Sequence, residues 1–385
     1  MAQTATMDAP NKDISLGIKN FLGQLLKSGL AEAVLVPLRQ PGSTTVMPGL
    51  VTDPDALEQA DILAPVAPLS SARMAARLTR RSTGKPVAAV LRPCEVRAFI
   101  ELVKFNQAKA ENILLVSADC AGVFPNKDYS AFAAAGESQP GERFWKAADN
   151  GAATQVEGFS LASACLVCEQ PFSLSADISL GILGSEGSSS ISVTANTQKG
   201  EDAFKKLGLA QSPPNEARQK ALDSLVEKRS QAKQALFATM EEKVNSLGAL
   251  NKYFENCVNC YNCRVACPIC YCRECVFLTD AFDHEPGLYL NWATRNRAIK
   301  MPTDTAFFHL TRLAHMSTSC VGCGQCSNAC PNDIPVSDLF IRVSAATQKA
   351  FEYKPGQSLD EKPPLAVFEA DEFGEAVGIK SKAAS

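Results

Sequence analysis

Two cysteine runs of identical spacing constrain this chain more than anything else in it: Cys257-x2-Cys260-x2-Cys263-x3-Cys267-Pro268 and Cys320-x2-Cys323-x2-Cys326-x3-Cys330-Pro331. This is the bacterial-ferredoxin spacing for cubane iron–sulfur clusters. Three thiolates within seven residues wrap one cubane. The fourth, followed by a helix-breaking proline, reaches the neighbouring cluster. The rule assigns Cys257, Cys260, Cys263 and Cys330 to one 4Fe–4S cluster, and Cys320, Cys323, Cys326 and Cys267 to the other. Zinc sites usually pair two short Cys-x2-Cys knuckles instead of three consecutive steps ending in Cys-Pro. The spacing therefore points to one-electron chemistry.

Composition sets the outer limits. A chain of 385 residues is expected to form two or three domains. A net charge of −3 gives no reason to expect nucleic acid as a partner. No apolar run approaches the roughly 18–20 residues of a membrane span, and the N-terminal residues lack the pattern of a secretory signal. Fifteen cysteines in a chain this long, without such a signal, fit a reducing cytoplasm better than a disulfide framework.

Residues 1–12 read as a disordered tail. From 13 to 212, short apolar runs alternate with helical periodicity. ISLGIKNFLGQLLKSG and SSARMAARLTRR read as helices and AEAVLVPLRQPG as a buried strand. GKPVAAVLRPCEVRAFIELVKFNQ reads as strand, turn and helix, and NILLVSADCAG as a further strand. The alternation predicts an α/β domain with a mainly parallel sheet. Residues 213–250 predict a helical linker, with Leu222, Leu225, Val226, Arg229, Ala232 and Leu236 on one face. That face either packs on its own domain or makes the helix a spacer. Residues 251–345 form the two-cluster domain. The 52 residues between Cys267 and Cys320 contain two helical patterns and favour a mainly helical ferredoxin-like domain. Residues 346–385 read as a C-terminal tail.

Cys94, Cys120, Cys165 and Cys168 remain in the α/β region. The first two end predicted strands and the others form a Cys-x2-Cys knuckle. Ligands gather beyond the strand ends of an open parallel sheet, so four thiolates could converge there. Four inert buried cysteines satisfy the same spacing. Cys270, Cys272 and Cys275, in CPICYCREC, admit three readings: a fourth cluster completed by His284, His309 or His315, a zinc site, or thiols packed as small hydrophobes. His315, five residues before Cys320, is otherwise a structural histidine or a hydrogen-bond partner of a cluster sulfur.

RPCEVRAFIELVKFNQ, SADCAG and CLVCEQPFSLSADISLGILGSEG, together with CVNCYNCRVACPICYCREC and LAHMSTSCVGCGQCSNACPNDIPV, resemble the beta-subunit family of deazaflavin-reducing hydrogenases and methanogen-type formate dehydrogenases. The resemblance spans about residues 15–350. It implies an α/β domain ahead of a two-cluster domain. It also implies that Cys94, Cys120, Cys165 and Cys168 hold a third 4Fe–4S cluster beside a flavin, with FAD the candidate. Gly181 and Gly184, and Arg92 and Arg97 flanking Cys94, are candidate cofactor contacts. One place departs from the family. Where it carries a paired glycine and a small hydroxyl residue, this sequence has Leu16-Gly17-Ile18-Lys19-Asn20. The single Gly17 is the candidate contact there, and the bulkier neighbours argue against a deazaflavin ring.

The sequence holds no nucleophile–base motif, P-loop or Gly-x-Gly-x-x-Gly, so no catalytic residue is assigned. The chain is expected to be an iron–sulfur electron-transfer subunit of an oxidoreductase complex. By resemblance, its partner is a molybdenum- or tungsten-containing formate dehydrogenase alpha-like catalytic subunit or a heterodisulfide-reductase-like subunit. A flavin-free relay and a docking scaffold are the alternatives.

Overall fold

The computed structural model describes residues 3–81, 84–136, 139–185, 187–272 and 274–364. The chain opens with β1 (Gln3–Asp8), α1 (Ile14–Lys27), the hairpin of β2 (Ala33–Arg39) and β3 (Val46–Val51), and α2 (Ser71–Thr79). Then come β4 (Val87–Val90), α3 (Pro93–Lys104), β5 (Ile113–Ala118), α4 (Asn126–Ala134) and α5 (Pro140–Ala147). A small ribbon, β6 (Gln155–Val156) and β7 (Phe159–Ser160), precedes α6 (Ser163–Leu166), β8 (Ile178–Gly181), β9 (Ser190–Ala195) and α7 (Gln198–Leu207).

Among the described residues, seven strands form one sheet in the order β1-β9-β8-β5-β4-β2-β3. The central pairs β2–β4, β4–β5 and β5–β8 are parallel. The outer pairs β1–β9, β8–β9 and β2–β3 are antiparallel. The sheet is therefore mixed, not mainly parallel. Loop length is the cause: the turns over 40–45 and 182–189 are too short for the crossover that a parallel return needs. The expected disordered tail over 1–12 is also corrected. β1 pairs with β9 along Gln3–Asp8, and Ala5 and Met7 enter the core.

α3 follows β4 so closely that Cys94 lies on its first turn. Pro93 suits the first helical position because its missing N–H would have had no partner there. The Glu95 carboxylate accepts from Arg92 N (2.9 Å) and from Ser71 N (2.7 Å), tying this turn to the start of α2.

The second half is helical: α8 (Glu216–Lys243), α9 (Leu247–Tyr253), α10 (Asn262–Ala266), α11 (Pro286–Asn296), α12 (Thr305–Met316), α13 (Gln325–Asn328) and α14 (Val336–Ala350). α8 is packed along its length: Leu222 and Leu225 enter the core on one face of the sheet, and Met240 enters the other. That second core joins Ala72, Ala75 and Phe99 of α2 and α3 to Phe254, Leu313 and Phe340 of the cluster region. Phe99 and Phe254 are essentially inaccessible, and burying each such side chain contributes about 1.5–3 kcal/mol.

The expected C-terminal tail over 346–385 is ordered as far as 364. After α14, the chain turns back across α3. Tyr353 Oη donates to Glu101 Oε1 (2.7 Å), Gly356 N donates to the same oxygen (2.8 Å), and Arg97 Nε donates to Pro355 O (3.0 Å). Gly356 has φ +72°, and an added Cβ would stand 2.4 Å from Arg97 Cα, so glycine is required. Residues 365–385 lie outside the described residues.

Candidate metal centres

Three elements bring the α/β cysteines together. β4 delivers Cys94 to α3, β5 ends two residues before Cys120, and α6 carries Cys165 with Cys168 just beyond it. Gly122, at φ +119°, turns the chain beneath the knuckle, where an added Cβ would lie 3.3 Å from Cys165 Cβ. Cys120 N donates to Pro171 O (2.7 Å) and Ala162 N to Val123 O (2.8 Å), closing the knuckle loop over the strand ends. Cys120 and Cys168 line cavities, yet burial dominates the chemistry of these thiols. It pushes the Cys94 thiol well up, and Glu95 and the Cys120, Cys168 and Cys165 sulfurs push the same way. Burial, then Cys120 and Cys168, raises Cys165 to about 12. Such thiols stay protonated unless a cation compensates them, and a coordinated metal is such a cation.

The two motif runs exchange members. Cys257 feels Cys330 and Cys260 after burial, and Cys263 feels Cys257, Cys260 and Cys330 after burial and Arg312. In the other group, Cys326 feels Cys267 and Cys320, and Cys323 feels Cys267 and Cys326. A cavity of about 400 Å³ is lined by Cys267, Cys320, Cys323 and Cys326, with Gly322 and Arg312 beside them. Burial raises the thiols of Cys120, Cys257, Cys267 and Cys323, and backbone N–H groups of Gly122, Asn259, Ile269 and Gln325 respectively work against that rise. Each donor lies two residues beyond its cysteine, a turn that favours thiolate. Among the described residues, no three His, Cys, Asp or Glu side chains gather tightly enough for a single ion. The four cysteines that line one cavity supply the donor set a cubane takes, one thiolate per iron.

Buried and half-buried arginines lie among the quartets. Arg97 Nη1 donates to Val321 O (3.0 Å); burial works against its charge, and Cys168, Cys94 and Cys320 favour it. Arg92 Nη2 donates to Ala64 O (3.1 Å) and Val66 O, holding that loop, while its charge favours the Cys120 thiolate. Arg229 of α8 reaches Ala121 O (2.8 Å) and Cys168 O (3.4 Å). Its only sequence signal is a lone arginine in an otherwise apolar stripe.

Comparison with known proteins finds similarities in both halves of the chain. Residues 84–212 match the C-terminal region of the coenzyme F420 hydrogenase/dehydrogenase beta subunit, and residues 253–334 match a 4Fe-4S dicluster domain. The F420-dependent formate dehydrogenase subunit beta of Methanocaldococcus jannaschii is 28% identical over 365 residues, covering 89% of this chain and 91% of that one. The F420-dependent formate dehydrogenase 1 subunit beta of Methanococcus maripaludis is 26% identical over 306 residues, covering 72% and 74%. Over these residues the chain is similar to the F420 hydrogenase/dehydrogenase beta-subunit family. Among solved structures, a chain of the F420-reducing NiFe hydrogenase complex from Methanosarcina barkeri is similar with a TM-score of 0.42 and 14% identity, covering 64% of this chain and 94% of that one.

The three glycines expected at a cofactor face the chain's own atoms. An added Cβ would stand 2.8 Å from Asp8 O at Gly17, 2.4 Å from Arg218 Cδ at Gly181 and 2.9 Å from Ala217 C at Gly184. Their open sides are filled by the residues just after β1 and by the start of α8, and do not fit a flavin. Cys270, beyond burial, feels Cys272 and Cys275 as well as Arg312 and Arg264, while Tyr271 stacks on Phe105 at 4.9 Å. The histidine at a cysteine sulfur is His309, whose Nε2 lies 3.4 Å from Cys257 Sγ. Burial, then the Arg312 charge, holds its pKa down at about 3. His284 packs against Tyr289 and Trp292, and His315 is exposed.

Proposed function

We propose that this chain is the electron-transfer subunit of a formate dehydrogenase-like complex, holding three 4Fe–4S clusters on the Cys257/Cys260/Cys263/Cys330, Cys320/Cys323/Cys326/Cys267 and Cys94/Cys120/Cys165/Cys168 quartets. The observation that carries this reading is the continuity of the three. Cys326 feels Cys263 of the first quartet, and Cys323 feels Cys94 of the third. Clusters of this kind, when bound, exchange single electrons. The chain's own part is to supply thiolates, to set Arg97, Arg229 and Arg312 beside them, and to exclude water with the core shared by α2, α3 and α12. Substrate oxidation then falls to a partner, by resemblance a molybdenum or tungsten alpha-like subunit; the relatives' names support a formate dehydrogenase complex. A carrier or a heterodisulfide-reductase-like subunit lies at the other end. The setting is a reducing cytoplasm; no described helix is long and apolar enough to cross a membrane.

A flavin-bearing form is the second reading. It is favoured by a small pocket lined by Arg92, Asp119, Cys120 and Trp145 at the carboxyl ends of β4 and β5, where α/β sheets take ligands. Iron and flavin counted on one anaerobically purified sample test both. About twelve irons, four per cubane, are expected. Flavin near one per chain selects the second reading, its absence the plain relay. About eight irons, unchanged in Cys94→Ser, would remove the third cluster.

A further inference from the structure

α12 lies in the stretch between the two cysteine runs, and it presents two nitrogen donors, one turn apart, to a single quartet. Arg312 Nη1 donates to Cys263 Sγ (3.2 Å) and Nη2 to Cys263 O (3.2 Å). The guanidinium is buried, 4.7 Å from the Phe340 ring and 5.6 Å from the Phe308 ring. Burial works against its charge, and the Cys263, Cys267, Cys326 and Cys270 sulfurs outweigh it.

His309 stacks flat on Phe254 (3.6 Å between centroids) with Nε2 at Cys257 Sγ, and its Nδ1 is buried without a partner. A neutral imidazole carries one N–H. An orphaned buried donor is rarer than an orphaned acceptor, so the hydrogen-bond pattern assigns the proton to Nε2, facing the sulfur. Cys257 and Cys263 thus each receive a side-chain N–H. Among the described residues, no side chain donates to the sulfurs of Cys267, Cys320, Cys323 or Cys326.

We infer that His309 and Arg312 are positioning residues that raise the reduction potential of the Cys257/Cys260/Cys263/Cys330 cluster above that of its neighbour, so that electrons collect at this end of the series. The inference rests on the cluster assignment proposed above. Reduction adds one negative charge to a cluster. Donors aimed at thiolate sulfur and a fixed cation favour the more negative state, and both are established levers on cluster potential. Arg312 acts on both neighbouring quartets through its charge, whereas the two direct N–H···S bonds act on one.

The test is an anaerobic redox titration of the full, cluster-loaded chain, with dithionite as reductant and EPR as readout. His309→Phe keeps the ring stacked and removes the N–H. It should shift one signal's reduction equilibrium about tenfold, ~59 mV for one electron, and leave the others in place. His309→Gln retains an N–H and should recover part of the shift. Arg312→Met should lower two signals, and Arg312→Lys should restore the part that depends on charge. Unshifted potentials in His309→Phe and Arg312→Met at wild-type iron content would overturn the inference. So would equal iron loss in His309→Phe and His309→Gln, which would make His309 a packing residue. Fewer than about eight irons in the wild-type chain, at four per cubane, would instead overturn the functional proposal beneath it.

Discussion

Cys330 closes the second cysteine run, yet its sulfur sits among those of the first. Cys267 does the converse. The exchange makes a specific prediction: Cys330→Ser should abolish the same EPR signal as Cys257→Ser, and Cys267→Ser the same signal as Cys320→Ser. Loss of signals by run instead of by quartet would refute the assignment. The sequence suggests this pairing because the proline after each fourth cysteine is a local mark. The donors around the sulfurs were not, since a histidine or arginine on a helix carries no sign of what its face will meet. His315 is nearer in sequence to a ligand than His309, but six residues along a helix carry it roughly a third of a turn away. Away from the quartets, Asp61 is buried and its carboxyl pKa is raised by that burial. Because the folded pKa exceeds the unfolded value, the stabilising effect of its proton is complete below about pH 3.8 and is lost as pH rises through the folded pKa. Asp61→Asn should therefore raise Tm at neutral pH by a few degrees, with the gain vanishing under acid.

At the scale of elements, α8 matters more than its sequence suggests. Its first turn brings Arg218 over Gly181 to Asp119, with Nε at 2.8 Å from Oδ2 and Nη2 at 2.7 Å from Oδ1. The Asp119 side chain is 1% exposed and also accepts from Ile182 N and Leu183 N, so this pair locks the end of β8 to the strand end that carries Cys120. Arg218→Met strands a buried carboxylate and should cost about 3–5 kcal/mol, read as a lowered midpoint in denaturant unfolding. The existence of this helix is plain from composition and its apolar stripe. Its inward arginines are not, because the partners lie about a hundred residues upstream. The sheet departs from expectation for a related reason. Pro and Gly correctly mark the stop after β2, but VMPGLV beyond it, broken by Pro48 and Gly49, gives no strand signal until it pairs with β2.

At the scale of the whole molecule, the order of regions follows from where the cysteines fall and where composition changes near residue 213. Their union does not, since sequence periodicity shows that a face is apolar and never which face it meets. α2 and α3 share one core with the cluster region, and the segment after α14 fastens the same junction through Glu101 and Arg97. For the proposed relay, this turns solid packing into circuitry. Electron hopping weakens exponentially with the gap to be crossed, and the core that holds Phe99 and Phe254 joins α2 and α3 to the cluster region. In the proposed relay, packing of this kind would set the resistance of the wire without carrying any charge along it.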